Sequence, residues 1–448
     1  MHINHTGLWL LAVMAATTLF AVGQNTSDTV GEPHNYLSID LQFLARGESR
    51  YGGLKIEISE EDEHVETAKT NFVQGRTRLV INYKRDWLEA RVTPQHSGVW
   101  GQSGKGAFNL YETWAKLTAR NGLFAQVGRV ALSYDDERII GSDNWAMASQ
   151  SHDVLRMGYE GHGHKAHVIL AYNQNADVLT TGGNYYVGGG QPYKTMQDVW
   201  YHYDLPKFPL GISVLFMNIG MENEDNNYEE QKTWYQQLLG GHLSFRPKRW
   251  NAEASYYHQM GKSESGLKID AWMASGKVSF APKANYGFVT GYDYLSGDKD
   301  FAVPPHGGLG VIRHEVIKGF STVYGAHHKF YGAMDFFYVS TYLNGFTPGL
   351  QNAYLGGFYS TMKGFRIDAT YHYLATATKL TDLSMFLGHE FEVQASCSLA
   401  RDVSLMAGMS LMSGSDTMER LKRDTSNNTL RWGWISLSVN PRIFTTKW

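Results

Sequence analysis

The chain is patterned at a period of two. Phe365, Ile367, Ala369, Tyr371 and Tyr373 interleave with Arg366, Asp368, Thr370 and His372. Phe391, Val393, Ala395, Cys397 and Leu399 interleave with Glu390, Glu392, Gln394, Ser396 and Ser398. Val403 to Leu411 and Ile435 to Val439 carry similar rows. Near the front, Arg76, Arg78 and Asn82 alternate with Thr77, Leu79, Ile81 and Tyr83, and Glu89, Arg91 and Thr93 with Leu88, Ala90 and Val92. Successive side chains of a strand point to opposite faces, so each row sets one face in an apolar medium and the other in a polar one.

A soluble sandwich alternates in the same way, but two features separate the cases. The strands are long, often about ten residues, which matches a tilted membrane crossing. The connections also alternate in length. Lys84-Arg85-Asp86, Arg120-Asn121-Gly122, Gly161-His162-Gly163, Arg246-Pro247-Lys248, Pro282-Lys283-Ala284, Lys363-Gly364 and Arg401-Asp402 are short turns. Between them fall longer stretches at 96–107, 131–152, 175–193, 221–231, 297–349, 377–387 and 414–429. Short turns at one end and long loops at the other predict an all-β fold: a single antiparallel transmembrane β-barrel of about 18 strands, with short periplasmic turns and long extracellular loops, in a bacterial outer membrane. An even count puts both chain ends on the short-turn side. The first strand, near Tyr36–Arg46, then closes the barrel against the last.

Composition adds three points. Residues 8–22, "LWLLAVMAATTLFAV", form an apolar run that suits a signal peptide over 1–24, leaving 25–448 as the barrel. A net charge of −3 argues against a nucleic-acid partner. Cys397 is the single cysteine, which excludes an internal disulfide.

The charged constellations are read as channel features. Asp135, Asp136, Glu137 and Arg138 contain the carboxylates a glycosidase needs, but nothing in the sequence fixes their separation. The favoured reading is a loop packed on the wall or folded into the lumen, anchored by Tyr134 and Trp145, with Arg138 and the aspartates shaping the passage. His162, His164 and His167 lie on a turn and the strand after it, without a local carboxylate or cysteine to complete a metal site. The inward rows are assigned Arg76, Arg78, Glu89, Arg91, Glu112, Lys116, Lys165, Asp198, Glu253, Lys277, Arg366, Asp368, Glu390 and Glu392. Arg129 and Asp153 join the candidate pore lining with Asp136 and Arg138. For Arg129 this takes a bulge, because Leu123, Ala125 and Val127 share its parity. No catalytic residue, metal site or cofactor is assigned.

The stretch "GRVALSYDDERIIGSDNW", followed by "SHD", resembles the signature of the alginate-export family of outer-membrane porins. Gly128, Arg129, Leu132, Tyr134, Asp136, Arg138, Gly141, Trp145 and Asp153 match it, while Val130, Asp135 and Gln150 depart from it. "QGRTRLVINYKRDWLEARVTPQHSGVWG", "HKFYGAMDFFYV" and "LGHEFEVQASCSLARDVSLMAGMSLM" look like members from Bacteroidetes-type bacteria. The resemblance implies a channel for passive passage of hydrophilic solutes, saccharides or anionic oligosaccharides among them. It also implies outer-membrane lipids as surroundings and a terminal aromatic, Trp448, of the kind read by the barrel-assembly machinery. Two other classes stay open at this point: a barrel enzyme acting on lipid or glycan, and a plugged barrel serving surface binding.

Overall fold

A computed structural model describes residues 35–52, 69–102, 106–174, 192–222, 232–298, 316–335, 337, 347–361, 364–422 and 429–448. The expected signal peptide, 1–24, lies outside the described residues, as do parts of the long loops.

The alternating rows form β1 (Asn35–Tyr51), β2 (Lys69–Arg85), β3 (Leu88–Val99), β4 (Ala107–Thr118), β5 (Leu123–Val130), β6 (His152–Gly161) and β7 (His164–Tyr172). They continue as β8 (Thr195–Asp204), β9 (Leu210–Glu222), β10 (Thr233–Phe245), β11 (Trp250–Lys262), β12 (Lys268–Lys283) and β13 (Tyr286–Leu295). A short segment, β14 (Val316–Ile317), precedes β15 (Leu350–Ser360), β16 (Phe365–Ala375), β17 (Phe386–Ala400) and β18 (Val403–Gly414). A helix, α1 (Asp416–Lys422), leads to β19 (Thr429–Val439) and β20 (Arg442–Lys447).

Each wall strand pairs antiparallel with its neighbour, and β1 closes on β19 and β20. The result is a closed 18-strand antiparallel barrel. β14 lies outside that count, because it only bridges to β12 in parallel. β19 and β20 are two parts of one crossing, interrupted at Pro441. Proline offers no N–H to a ladder, so the register against β1 shifts there, and the Leu41 N–H donates to the Pro441 carbonyl at 3.0 Å. The start of β1 and the end of β20 meet at the short-turn side: Asn35 N donates to Trp448 O at 3.0 Å and Trp448 N to Asn35 O at 3.2 Å.

The outward rows are apolar and exposed, as with Val199, Phe216, Leu239, Leu355 and Phe391. This closed apolar wall leaves no unpaired backbone in the hydrocarbon, which is the condition for crossing a membrane with strands. Cys397 falls on the outward row with Phe391 and Leu399, opposite Leu405 of β18.

Inward positions differ around the circumference. On β1–β4 most are polar or charged, with Leu44 and Val80 as apolar exceptions. On β7–β13 many in the half nearer the long loops are apolar and buried, including Ile169, Met196, Leu215, Met217, Ile219, Leu238, Ala271 and Met273. They are covered by two segments folded into the barrel, 131–151 and 316–337. Val130, Leu132, Tyr134, Ile139, Ile140, Phe320, Tyr324, Tyr331 and Phe337 pack with the wall residues in one cluster.

Candidate pore and constriction

The segment 131–151 begins where β5 ends and crosses the lumen. Its first part is a tight turn: Glu137 N donates to Tyr134 O at 2.8 Å and Tyr134 N to Ile140 O at 3.1 Å. Asp135 and Glu137 there take positive φ, 54° and 68°. Side chains rarely hold that conformation unless their surroundings impose it. The surroundings do so here. Trp200 of β8 donates its indole N–H to Asp135, with both carboxylate oxygens at 3.2 Å. The Tyr134 hydroxyl lies 3.0 Å from Nδ1 of His167, on β7. Burial pushes the Asp135 carboxyl above its usual range, against the pull of the Ser213 hydroxyl.

Arg138 fixes the far side. Its guanidinium reaches Asp136 at 3.2 Å and Asp293 of β13 at 3.1 Å, and it donates to the Tyr331 hydroxyl at 2.9 Å. Asp293 in turn accepts from Asn352 of β15 at 2.9 Å, and Asn352 Oδ1 lies 2.8 Å from Nδ1 of His372 on β16. The Arg138 guanidinium carbon sits 4.1 Å from the centre of the Phe330 ring. Its side chain is only 4 % exposed. An isolated buried guanidinium would be costly, and two carboxylates with a phenol compensate it.

The second segment, 316–337, seats on the first. Tyr324 N donates to Ile139 O at 3.0 Å, Gly141 N to Tyr324 O at 2.8 Å and Ala326 N to Glu137 O at 2.8 Å. A Cβ on Gly141 would come within 2.8 Å of the Ala326 nitrogen, so this close approach needs glycine. Gln259 of β11 binds both sides of Ser321, donating to its carbonyl at 2.7 Å and accepting from its N–H at 3.0 Å. Glu390 of β17 accepts from Met334 N at 2.9 Å and from the Ser410 hydroxyl at 2.6 Å. Burial opposes ionisation of Glu137, but the contacts from Lys329 and Ser133 outweigh it and hold the carboxyl below its usual range.

The remainder of 131–151 lies against the polar wall. Arg76 donates from one nitrogen to Asn144 O and Ala146 O, both at 3.0 Å, and to the Ser149 hydroxyl at 2.8 Å. Arg78 donates to Asn144 Oδ1 at 2.8 Å, Ser149 Oγ at 2.7 Å and Gln95 Oε1 at 2.6 Å. Arg46 of β1 donates to Trp145 O at 3.1 Å and lies 4.0 Å from the Trp145 ring centre. That indole stacks on His328 at 4.0 Å and meets Trp434 edge-on at 4.9 Å.

The expected pore residues therefore fall into four groups. Arg76 and Arg78 are on the inward row but buried under the constriction segment, spent on its carbonyls and hydroxyls. Asp136 and Arg138 lie inside the barrel yet are sealed within the packed segments. Glu89, Arg91, Glu112, Lys116, Arg366 and Asp368 sit on inward rows nearer the short turns. There Arg91 pairs with Glu112 at 3.1 Å, Glu89 with Lys84 at 2.7 Å and Arg366 with Asp368 at 2.5 Å. The Arg91 and Arg366 side chains keep 36 % and 45 % exposure, against 4 % for Arg138.

Arg129 and Asp153 form the fourth group and are a correction. β5 and β6 place them directly opposite one another on the outward row, alongside the exposed Val127. Two hydrogen bonds, at 2.8 and 2.7 Å, join them into a forked ion pair on the outer wall. No bulge in the pairing of β5 with β6 turns Arg129 inward.

One element of the site escaped the motif reading. Lys116, Gln126 and Arg156 occupy one inward row across β4, β5 and β6. The Lys116 ammonium and the Arg156 guanidinium carbon lie 4.4 and 5.5 Å from the centre of the Phe124 ring. Among the described residues neither cation has a carboxylate partner, and Arg156 Nε and Gln126 Oε1 are buried without a hydrogen bond. Parity would have placed Arg156 inward beside Val154, but it sits in a row otherwise poor in charge.

The candidate histidines are engaged otherwise. His167 Nε2 lies 3.0 Å from Glu160, and His164 Nδ1 2.8 Å from the Tyr201 hydroxyl on the outer face. Among the described residues no cluster of three metal-ligating side chains occurs.

No protein-family model matches the chain, and no curated protein matches it in sequence. Solved structures do match in fold. The outer membrane protein opdK of Pseudomonas aeruginosa aligns with a TM-score of 0.58 at 10% identity, over 93% of this chain and 100% of that one. A BenF-like porin from Pseudomonas fluorescens Pf-5 aligns with a TM-score of 0.58 at 11% identity, over 91% and 99%. Pseudomonas aeruginosa OccK2 (OpdF), in complex with glucuronate, aligns with a TM-score of 0.58 at 12% identity, over 91% and 98%. The chain thus has the fold of outer-membrane porin barrels, and both chains of each pair are covered almost end to end.

Proposed function

We propose that the protein is an outer-membrane channel for passive diffusion of hydrophilic solutes, with anionic saccharides and sugar acids as its favoured class. The observation that carries this reading is the inward row Lys116–Gln126–Arg156. It presents two cations without carboxylate partners among the described residues at the edge of the constriction, packed over the buried Phe124 ring. Fixed positive charge in a confined aqueous passage concentrates anions. An ammonium and a guanidinium without a carboxylate partner can take one from a solute in charge-assisted hydrogen bonds. Glucuronate, bound in the complex of the similar OccK2, belongs to this class. The likeness of "GRVALSYDDERIIGSDNW" to the alginate-export signature agrees with it, although Arg129 of that signature faces outward. Transport needs no bond-making step, so no residue is assigned to catalysis.

Refolded protein in planar bilayers is the test. In a salt gradient its reversal potential should show anion preference, and glucuronate should reduce the conductance more than neutral glucose does. K116Q/R156Q should move the reversal potential towards cations and weaken the glucuronate effect, most clearly at low salt, where the screening length exceeds ~10 Å. A folded double variant with wild-type reversal potential and wild-type response to glucuronate would refute the role of this row.

A further inference from the structure

We propose that the outer wall at the barrel seam, where β19, β1 and β2 meet, binds a phosphate-bearing anionic lipid of the outer leaflet. Tyr51 pairs in register with Arg431 on one side and with Lys69 on the other. All three stand on outward rows, Arg431 with Ile435, Tyr51 with Gly47, Lys69 with Val73. The Lys69 ammonium lies 5.1 Å and the Arg431 guanidinium carbon 5.9 Å from the centre of the Tyr51 ring. Both cations are exposed. Among the described residues neither has a carboxylate partner.

Beneath them, on the membrane side, opens a groove of about 650 Å³ lined by Gly47, Ser49, Asn71, Val73, Trp100 and Gly433 among others. Gly433 is two residues along its strand from Arg431, and Gly47 four from Tyr51. At a rise of roughly 3.4 Å per residue, the groove extends from ~7 to ~14 Å below the cations. The order of chemistry from the rim inward is cation pair, then the Ser49 hydroxyl and Asn71 amide, then an apolar trough. It matches a lipid presented from its phosphate to its acyl chain. The Trp100 indole, 62 % exposed, hangs over the trough as an interfacial aromatic does.

Charge selects this occupant over a second copy of the chain. A two-fold contact centred here would set Arg431 and Lys69 against the same two cations of the partner, like charge against like. A phosphate monoester supplies the missing negative charge and several acceptors, and basic clusters at a membrane surface recognise lipids in this way.

The experiment uses the full chain in phosphatidylcholine nanodiscs doped with long-chain phosphatidic acid, and native mass spectrometry counts the lipids retained. The wild type should retain phosphatidic acid over phosphatidylcholine by about tenfold or more, as two cations predict. K69Q/R431Q should abolish that preference. Gly47→Leu fills the trough without backbone strain, since a Cβ there meets Ile435 Cγ2 at 3.7 Å and Val73 Cγ2 at 3.9 Å. It should weaken retention of the long-chain lipid but spare dihexanoyl phosphatidic acid. Heat-dependent gel mobility certifies the fold of each variant, and R431Q alone, expected to lower the preference, stands in should the double variant not assemble. No preference in the wild type, or one unchanged in K69Q/R431Q, overturns the proposal. So does a dimer that Gly47→Leu dissociates. Bilayer selectivity reports on the lumen alone, so failure here leaves the transport reading standing, and the reverse holds too.

Discussion

The lumen has two unlike walls. On β1–β4 the inward rows are mostly charged or polar, and they hold the constriction segment through side chains aimed at its carbonyls and hydroxyls, as Arg46, Arg76 and Arg78 do. On β7–β13 the upper inward rows are apolar, and they hold the same segment by burying Leu132, Ile139 and Ile140 with Tyr324 in a dry cluster. The first attachment is made by polar side chains, and the second adds a buried apolar cluster to the directional contacts of Trp200, Gln259 and Asp293. The first wall can tolerate solvent beside it. The second cannot, because exposing Leu215, Met217 and Ile219 to a water-filled passage forfeits about 1.5–3 kcal/mol per side chain. The difference makes the in-folded segments part of the barrel's core.

The sharpest way to break this contrast is to charge the dry wall. Met217 is fully buried on the inward row of β9, facing the segments. Met217→Glu would bury a second carboxyl group directly opposite Asp198, whose own oxygens have no hydrogen-bond partner among the described residues, at a cost on the order of 3–5 kcal/mol, or else drive the segments out. The barrel closes by backbone pairing, so it should still assemble and keep its heat-dependent gel mobility. Single-channel conductance should rise several-fold as the segments leave the lumen. Unchanged conductance from a folded M217E channel would mean that the apolar cluster does not hold the constriction.

The polar wall should respond less. R76Q/R78Q removes two charged donors from Asn144, Ala146 and Ser149, and contacts of this kind contribute about 1.5–3 kcal/mol each. The segment would remain seated on the apolar side while its 142–150 half loosened. Open-channel noise should increase and mean conductance rise modestly, well short of the M217E effect. The reversal potential should move less than in K116Q/R156Q, because Arg76 and Arg78 are covered. A larger selectivity shift from R76Q/R78Q than from K116Q/R156Q would reverse the ranking of the two cation rows.

How much of this was legible in the sequence follows from which contacts are local. Alternation exposed the wall strands and their parity, and long connections set against short turns gave the architecture and a count that the closed barrel matches. Tyr134 and Trp145 were expected as anchors of an inward loop, and both are. The dry wall was hidden because "GISVLFMNIGM" in β9 is apolar on both faces, and a period-two reading cannot say what covers the inner one. The partners of Arg138 lie 155 residues away at Asp293 and 193 away at Tyr331. Spacing along the chain holds no trace of such contacts. Some connections also differ: β3 runs on to Val99, past the expected loop start at 96, because the pairing absorbs Pro94 in a register shift opposite β4. At Arg129 two signals conflicted. The motif drew it into the pore, parity with Leu123, Ala125 and Val127 put it outside, and parity won because a strand cannot turn one side chain without a bulge.

That conflict supplies the smallest effect and the most selective check on the two-wall picture. Arg129 and Asp153 are paired on the outer face, their side chains 32 % and 42 % exposed, near the long-loop ends of β5 and β6. An exposed ion pair contributes about 0–1 kcal/mol, and its field reaches the lumen only through the protein wall. R129Q/D153N keeps two hydrogen-bonding side chains in register and removes both charges, so net charge is unchanged. Reversal potential, conductance and glucuronate response should all equal the wild type, while the temperature of barrel unfolding in detergent shifts by a degree or two at most. The single variant R129Q leaves Asp153 without its partner on the lipid-facing wall and should destabilise more than the double variant, with selectivity still untouched. A change in ion selectivity in either variant would place this pair in the passage. It would also require the pairing of β5 with β6 to slip by one residue, carrying Val127 inward and Gln126 out to the lipid.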